Sequence, residues 1–343
     1  MPELSPRELL RRALRFERTP RVPRQLWALP WPERHHPEEL EAIRRDFPDD
    51  IYTPAAKRPP VPGMRGNWYA AGTYVDEWGC EFVNICPGII GEVKKPLVNS
   101  YESDLDKVRP PTEWISAVGG LNEACGNSDR FMLGCPGINP FERMQWIRGT
   151  ENLFIDLMDQ PAGLFKLLDR VHQWNLAVLD SWAVTDVDAI GWSDDWGGQR
   201  ALLINPALWR GMFKPLYRQY AERIHAAGKF AFMHSDGYIF DVYEDLIEIG
   251  VDAINSQLFC MDIEEIGRRF KGRITFWGEI DRQHVLPYGS AEDVRQAVRR
   301  VARALYNGRG GVIAQCEFSA GSKPQNVRTV FDEWNRLGQQ TGP

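Results

Sequence analysis

The chain has 343 residues, 43% of them hydrophobic, and a formal net charge of −6. Its apolar content predicts a folded core, and its negative charge argues against nucleic acid or an anionic membrane surface as a partner. The sequence has no run of about 18 apolar residues and no apolar signal segment, so we expect a cytoplasmic protein without a membrane span. Six scattered cysteines are expected to be free thiols.

The N-terminal part of the sequence predicts a helix, two short strands and a hairpin. Ser5, followed three residues later by Glu8, is a capping-box signature and predicts a helix over residues 6–17. Aromatic and β-branched residues around a glycine at residues 67–83 indicate a hairpin excursion near residues 67–100. The two predicted strands are residues 25–29 and 50–52.

From residue 130 onwards, short apolar runs alternate with amphipathic segments of helical length. Strands that alternate with helices indicate parallel βαβ units, and the six runs bring the number of predicted strands to eight. Eight such units close a (β/α)8 TIM barrel, and without a linker we expect a single domain over residues 1–343. The runs are residues 131–134, 189–192, 230–233, 252–255, 274–277 and 311–315.

Polar residues follow most of these apolar runs. Active sites of α/β barrels lie at the carboxyl ends of the strands, so these residues are candidates for catalysis or binding, although a solvated rim is also polar. Asp76, in the hairpin segment, joins them as a further candidate acid. The candidates at the strand ends are Asp194, Asp195, His234, Asp236, Asn255, Glu279, Cys316 and Glu317.

Three of these residues match the chemistry of a zinc site. In an extended segment, His234 and Asp236 point to the same side because strand side chains alternate. Cys316, from a later strand, would add a thiolate at the same mouth, and three protein ligands leave one position open for substrate. A hydrogen-bonded histidine and an unrelated buried cysteine fit the same spacing.

The sequence has thirteen tryptophans, and several lie in or beside the predicted rim segments. They are expected either to wall a pocket for a flat ligand or to pack the excursions onto the barrel. Four of these tryptophans, together with Asn255, are the candidate substrate-binding residues. These are Trp78, Trp192, Trp196, Asn255 and Trp277.

Several ordered motifs along almost the whole chain resemble the uroporphyrinogen decarboxylase superfamily, including its cobalamin-related methyltransferase branch. They span the opening helix, the middle of the barrel, the fifth and seventh strand ends and the last helix of that superfamily. The resemblance implies a TIM barrel and an enzyme. The motifs are Ser5–Leu14, Val75–Gly79, Asp194–Gln199, His234–Gly237, Gly278–Asp281 and Pro324–Val327.

Two departures from the decarboxylases favour the methyltransferase branch. Residues 26–34 lack the arginine-containing stretch that serves a polycarboxylated tetrapyrrole, and a substrate with many carboxylates needs cationic partners. The last strand ends in a sequence with Cys316 where the decarboxylases have histidine. The resemblance to the methyltransferases implies zinc bound by His234 and Cys316, with Asp236 in place of the family's other cysteine and Glu317 as a fourth ligand.

The resemblance therefore implies a zinc-dependent methyltransferase that moves a methyl group from a small O-methyl or similar substrate to a corrinoid protein. Asp195 or Glu279 would protonate the leaving group. One alternative is a metal-free decarboxylase or lyase acting on an aromatic or pyrrolic acid, in which Asp76 and Asp194 stabilise positive charge. Another is a non-catalytic barrel that binds a small ligand. The sequence leaves homodimer formation open.

Overall fold

The computed structural model describes residues 4–88 and 90–340. Eight parallel strands form a nearly closed barrel in the order β1-β11-β10-β9-β8-β7-β6-β2. Both N-terminal strand predictions and all six later ones correspond to strands of this barrel, so the predicted (β/α)8 fold is confirmed. The barrel strands are β1 (Arg24–Ala28), β2 (Ile51–Tyr52), β6 (Phe131–Gly134), β7 (Ala189–Ser193), β8 (Phe230–Ser235), β9 (Ala253–Ser256), β10 (Thr275–Trp277) and β11 (Val312–Phe318).

The predicted hairpin excursion is an antiparallel sheet of three strands between β2 and β6. Trp68 packs edge-on against Tyr74 and obliquely against Phe82, and these rings join the sheet to the main core. The excursion follows the carboxyl end of β2 and so belongs to the barrel mouth. Its strands are β3 (Gly72–Val75), β4 (Glu81–Asn84) and β5 (Glu92–Lys95).

Helices surround the barrel, and no helix within the described ranges is both long enough and apolar enough to cross a membrane. Residues 206–226 form two helices and not one, because Pro215 cannot donate the hydrogen bond that a continuous helix would need. The helices are α1 (Pro6–Leu14), α2 (Pro30–His35), α3 (Pro37–Asp46), α4 (Tyr101–Asp104), α5 (Leu121–Gly126), α6 (Pro140–Arg148), α7 (Thr150–Asp159), α8 (Ala162–Ala183), α9 (Pro206–Met212), α10 (Lys214–Ala226), α11 (Tyr243–Glu248), α12 (Ile263–Phe270), α13 (Val285–Tyr288), α14 (Ala291–Leu305) and α15 (Pro324–Gln340).

Alternation along each strand sorts the apolar side chains into two cores. One fills the barrel and includes Phe232, Trp277 and Ile313, together with Leu10 and Leu14 of α1. The other lies between the strands and the helices. Because strand side chains repeat every two residues, this sorting fixes which polar residues near the strand ends face the barrel interior. Members of the outer core include Ile190, Met233, Ile254, Phe276 and Cys316.

Candidate metal centre

His234 extends the interior face of β8 toward the mouth. It lies two residues beyond Phe232, which belongs to the interior core, and its ring packs at 5.4 Å from the ring of Trp27. Trp27 in turn contacts Trp277 edge-on at 5.1 Å. The imidazole is therefore held on an aromatic floor, with 22% of its side chain exposed at the mouth.

Asn255 fixes which nitrogen of His234 is available. The Asn255 amide donates to the carbonyl oxygen of Trp277 at 2.5 Å, which turns its oxygen toward His234 Nδ1 at 2.7 Å. An amide oxygen only accepts, so Nδ1 carries the proton and the neutral ring has its lone pair on Nε2. An imidazole held in this way is oriented as a metal ligand.

Two carboxylates converge on that nitrogen. His234 Nε2 lies 3.5 Å from Asp195 and 3.8 Å from Asp236, and the Asp236 amide donates to Asp195 Oδ1 at 2.9 Å. Burial raises the pKa of Asp195, while His234 opposes that rise. Within residues 4–88 and 90–340, one ligand atom from each of these three residues lies within 4.8 Å of the others. One imidazole and two carboxylates form a set that suits a divalent ion such as zinc.

Arg282 is a site residue that the sequence analysis missed. Its Nη2 donates to Asp236 Oδ2, its Nη1 donates to Glu317 at 2.7 Å, and its Nε lies 3.6 Å from Glu279. The residue directly follows the Gly278–Asp281 motif, where only carboxylates were considered. The guanidinium places a positive charge among three acids that would otherwise repel one another.

Comparison with known proteins identifies the family. The sequence profile of uroporphyrinogen decarboxylase (URO-D) matches residues 80–337. This chain belongs to the URO-D family. A methyltransferase from Methanosarcina mazei is similar in structure, with 14% sequence identity, a TM-score of 0.68 and coverage of 98% of this chain and 99% of that one.

Other comparisons add little to this assignment. A 3-keto-D-glucoside 4-epimerase from E. coli shares 12% identity over 65% of this chain and 86% of its own, with a TM-score of 0.40. Comparison with curated proteins found no significant match. The family assignment and the barrel fold therefore agree with the resemblance in the motifs.

The structure places Cys316 outside the metal group. β11 continues to Phe318, so Cys316 lies within the strand, fully buried in the core between strands and helices. Its neighbour Glu317 and the interior residue Ile313 have the opposite parity and face the barrel. Burial raises the pKa of the Cys316 thiol well above its ordinary value. The structure thus brings Asp195, His234 and Asp236 together, whereas Cys316 of the expected set points away from them and Glu317 binds Arg282.

Asp194 is buried beneath α6, where its carboxylate bonds to the backbone and to a tyrosine. It is fully buried and accepts hydrogen bonds from the amides of Phe141 and Glu142, at 3.0 and 2.9 Å, and from the Tyr217 hydroxyl at 2.5 Å. Burial raises its pKa to about 7. Asp194 therefore caps the first turn of α6 from a distant strand and is enclosed away from the mouth.

Asp76 is likewise enclosed. It pairs with Arg143 at 2.5 Å and accepts from the amides of Trp78 and Cys80 at 3.0 and 2.7 Å. Its side chain is 0% exposed. Of the candidate acids Asp76, Asp194 and Asp236, only Asp236 is open to the mouth.

The tryptophans divide in the same way. Trp78, Trp192 and Trp196 are buried in the outer core; Trp196, for example, stacks on Phe141 at 4.0 Å. Trp277 instead belongs to the interior core, where its indole donates to Gln25 at 2.9 Å. The first three residues pack in this core for different reasons: Trp192 points outward from β7, Trp78 packs against Trp174 of α8, and Trp196 packs against α6.

Two protonatable acids flank the group. Burial raises the pKa of Glu142 well above its ordinary value, and the nearby charges of Asp195 and Asp194 raise it further. Burial does the same to Glu279, against the opposing effect of Arg282. Glu142 was not predicted, because α6 enters the site only through the cap that Asp194 provides. Both groups are suited to holding a proton beside the mouth.

Proposed function

We propose that this member of the URO-D family is a zinc-dependent methyltransferase. It would take a methyl group from a small O-methyl or similar substrate and pass it to a corrinoid carried by a partner protein. The observation that carries the proposal is the convergence of His234 Nε2, Asp195 and Asp236 within 4.8 Å at the barrel mouth. The methyltransferase name of the structural neighbour from Methanosarcina mazei is consistent with it.

Asp195, His234 and Asp236 would hold the metal. Three protein ligands leave one coordination position open for substrate. Nitrogen and oxygen ligands donate less electron density to zinc than thiolates do, so the ion stays a stronger Lewis acid. Bound there, zinc would supply Lewis acidity to the heteroatom that carries the methyl group. A harder ligand set suits an ether or alcohol oxygen better than a thiol.

The remaining steps belong to side chains of the chain itself. Glu279, 4% exposed and with its pKa raised by burial, holds the proton that the leaving oxygen needs. Trp27 and Trp277 pack beneath His234 and shield that side of the imidazole from solvent. Asn255 holds the imidazole in the tautomer that presents Nε2.

Arg282 favours a second candidate, a metal-free decarboxylase or lyase. Its guanidinium already supplies a cation beside Asp236, Glu279 and Glu317. In such an enzyme Arg282 would hold a substrate carboxylate or stabilise developing negative charge. The enclosed Asp76 and Asp194 would then act on the fold and not on the reaction.

Metal analysis of freshly purified protein separates the two candidates. We expect about one zinc per chain in the wild type and in Cys316→Ser, and almost none in His234→Asn, with circular dichroism as the folding control. A wild type without zinc would refute the metal-dependent proposal. Loss of zinc in Cys316→Ser alone would restore the thiol as a ligand. Transfer of methyl groups from a panel of methoxy compounds to free reduced cobalamin, followed by absorbance, tests the reaction itself.

A further inference from the structure

Arg282 is surrounded by carboxylates from three different strand ends. Asp236 follows β8, Glu279 follows β10, and Glu317 lies near the end of β11. The Arg282 side chain is 17% exposed, and the side chains of Glu279 and Glu317 are only 5% and 7% exposed. The arginine is therefore seated within the wall of the mouth and is not a surface side chain that happens to find an acid.

The three nitrogens of the guanidinium are divided among the three acids. Nη1 contacts Glu317, Nη2 contacts Asp236 and Nε is nearest to Glu279. The contacts lie on three sides of the planar group and hold it in one orientation between the acids. The guanidinium thus stands among three carboxylates as a metal ion stands among its oxygen ligands.

Asp236 connects this cluster to the candidate metal group. Its Oδ1 lies 3.8 Å from His234 Nε2, whereas its Oδ2 accepts from Arg282. One carboxylate thus faces a metal position on one side and a guanidinium on the other. In two-metal centres a bridging carboxylate faces two ions in the same way, with the ions about 3.5–4 Å apart.

We propose that Arg282 is a specificity-determining residue that takes the place of a second cation, so that the mouth holds one metal ion and not two. The inference rests on the proposed metal-dependent function. Glu317 and Asp236 Oδ2 are hard oxygen donors, and with the guanidinium removed they would lack a cation beside the first ion, with the carboxyl group of Glu279 next to them. The fixed positive charge of Arg282 prevents a second divalent ion from entering.

The test measures metal stoichiometry in the full-length protein. Metal-free wild type and Arg282→Gln are titrated separately with Zn²⁺ and with Mn²⁺ by calorimetry, and bound metal is counted after equilibrium dialysis. We expect one ion per chain in the wild type and two in Arg282→Gln. Arg282→Gln/Glu317→Gln should return to one ion, because it lacks one of the ligands for the second.

Two control variants separate charge from folding. Arg282→Lys keeps the positive charge and is expected to bind one ion, while Arg273→Gln removes an exposed arginine paired with Glu244 and should behave as the wild type. Equal stoichiometry in Arg282→Gln and the wild type, or two ions in Arg282→Lys, would overturn the inference. If Arg282→Gln does not fold, Arg282→Met, which also removes the positive charge, is counted in its place, with the same expected result of two ions. A wild type that binds no ion would refute the proposed function, whereas one extra ion in Arg282→Gln would still support the role of Arg282.

Discussion

Asp76 offers a sharp test of structural against catalytic roles, because the sequence made it a catalytic candidate. In the structure its carboxylate neutralises Arg143, whose side chain is only 7% exposed and stacks over Trp78 and Trp146. Asp76→Ala would leave that guanidinium with Glu77 as its remaining acidic partner, at 2.7 Å. Removing one partner of a buried pair costs about 3–5 kcal/mol, and we expect the lower end because Glu77 remains.

This loss should appear as a lower melting temperature. At about 1.4 °C per kcal/mol for a chain of this size, Asp76→Ala should melt roughly 4 °C below the wild type. Zinc per folded chain should not change, since Asp76 is enclosed away from His234. Thermal unfolding by circular dichroism, combined with metal analysis, measures both quantities. An Asp76→Ala protein that keeps its melting temperature but loses metal or activity would refute this reasoning and return Asp76 to the site.

Two further predictions concern metal affinity and pH. Asn255→Ala should weaken zinc binding by about 10–100-fold without unfolding the barrel, because His234 loses the partner that fixes its tautomer. Calorimetry measures the zinc affinity, and an unchanged affinity would contradict the role of Asn255 in orienting His234. Burial raises the pKa of Asp49 to about 6, so between about pH 4 and 6 the folded chain binds more protons than the unfolded chain. The free energy of unfolding should therefore fall as the pH rises through this window. Denaturant unfolding at several pH values should show a smaller fall for Asp49→Asn, and the same fall in both proteins would exclude Asp49 as the cause.

The metal group shows where sequence reasoning succeeded. His234 and Asp236 share a side because they lie two residues apart in an extended segment, and this was correct. Asp195 was identified as a strand-end acid, although as a proton donor and not as a ligand. Its position opposite His234 follows from the pairing of Ser193 with His234 in adjacent strands, and no motif within a single strand encodes that register.

For Cys316, the sequence led to the wrong position within the strand. The apolar run predicted a strand that ends at residue 315, which would put the thiol at the rim. β11 instead continues to Phe318, and a position inside a strand has a parity that a rim position does not have. The resemblance to the family pattern pointed to Cys316. The direction of its side chain depends on strand parity: Ile313 faces the interior core, so Cys316, three residues later, faces outward.

The sequence by itself determined the alternation of eight strands with helices, the N-terminal cap at Ser5 and the excursion before the third barrel strand. These features depend on local periodicity and on interactions between near neighbours. Only the tertiary structure decided which polar groups meet. The guanidinium of Arg282 reaches Asp236 across 46 residues, and Asp194 caps a helix that begins more than 50 residues before it. Such contacts form because parallel strands bring their carboxyl ends to one mouth, and their partners are selected by register and parity, which no local pattern records.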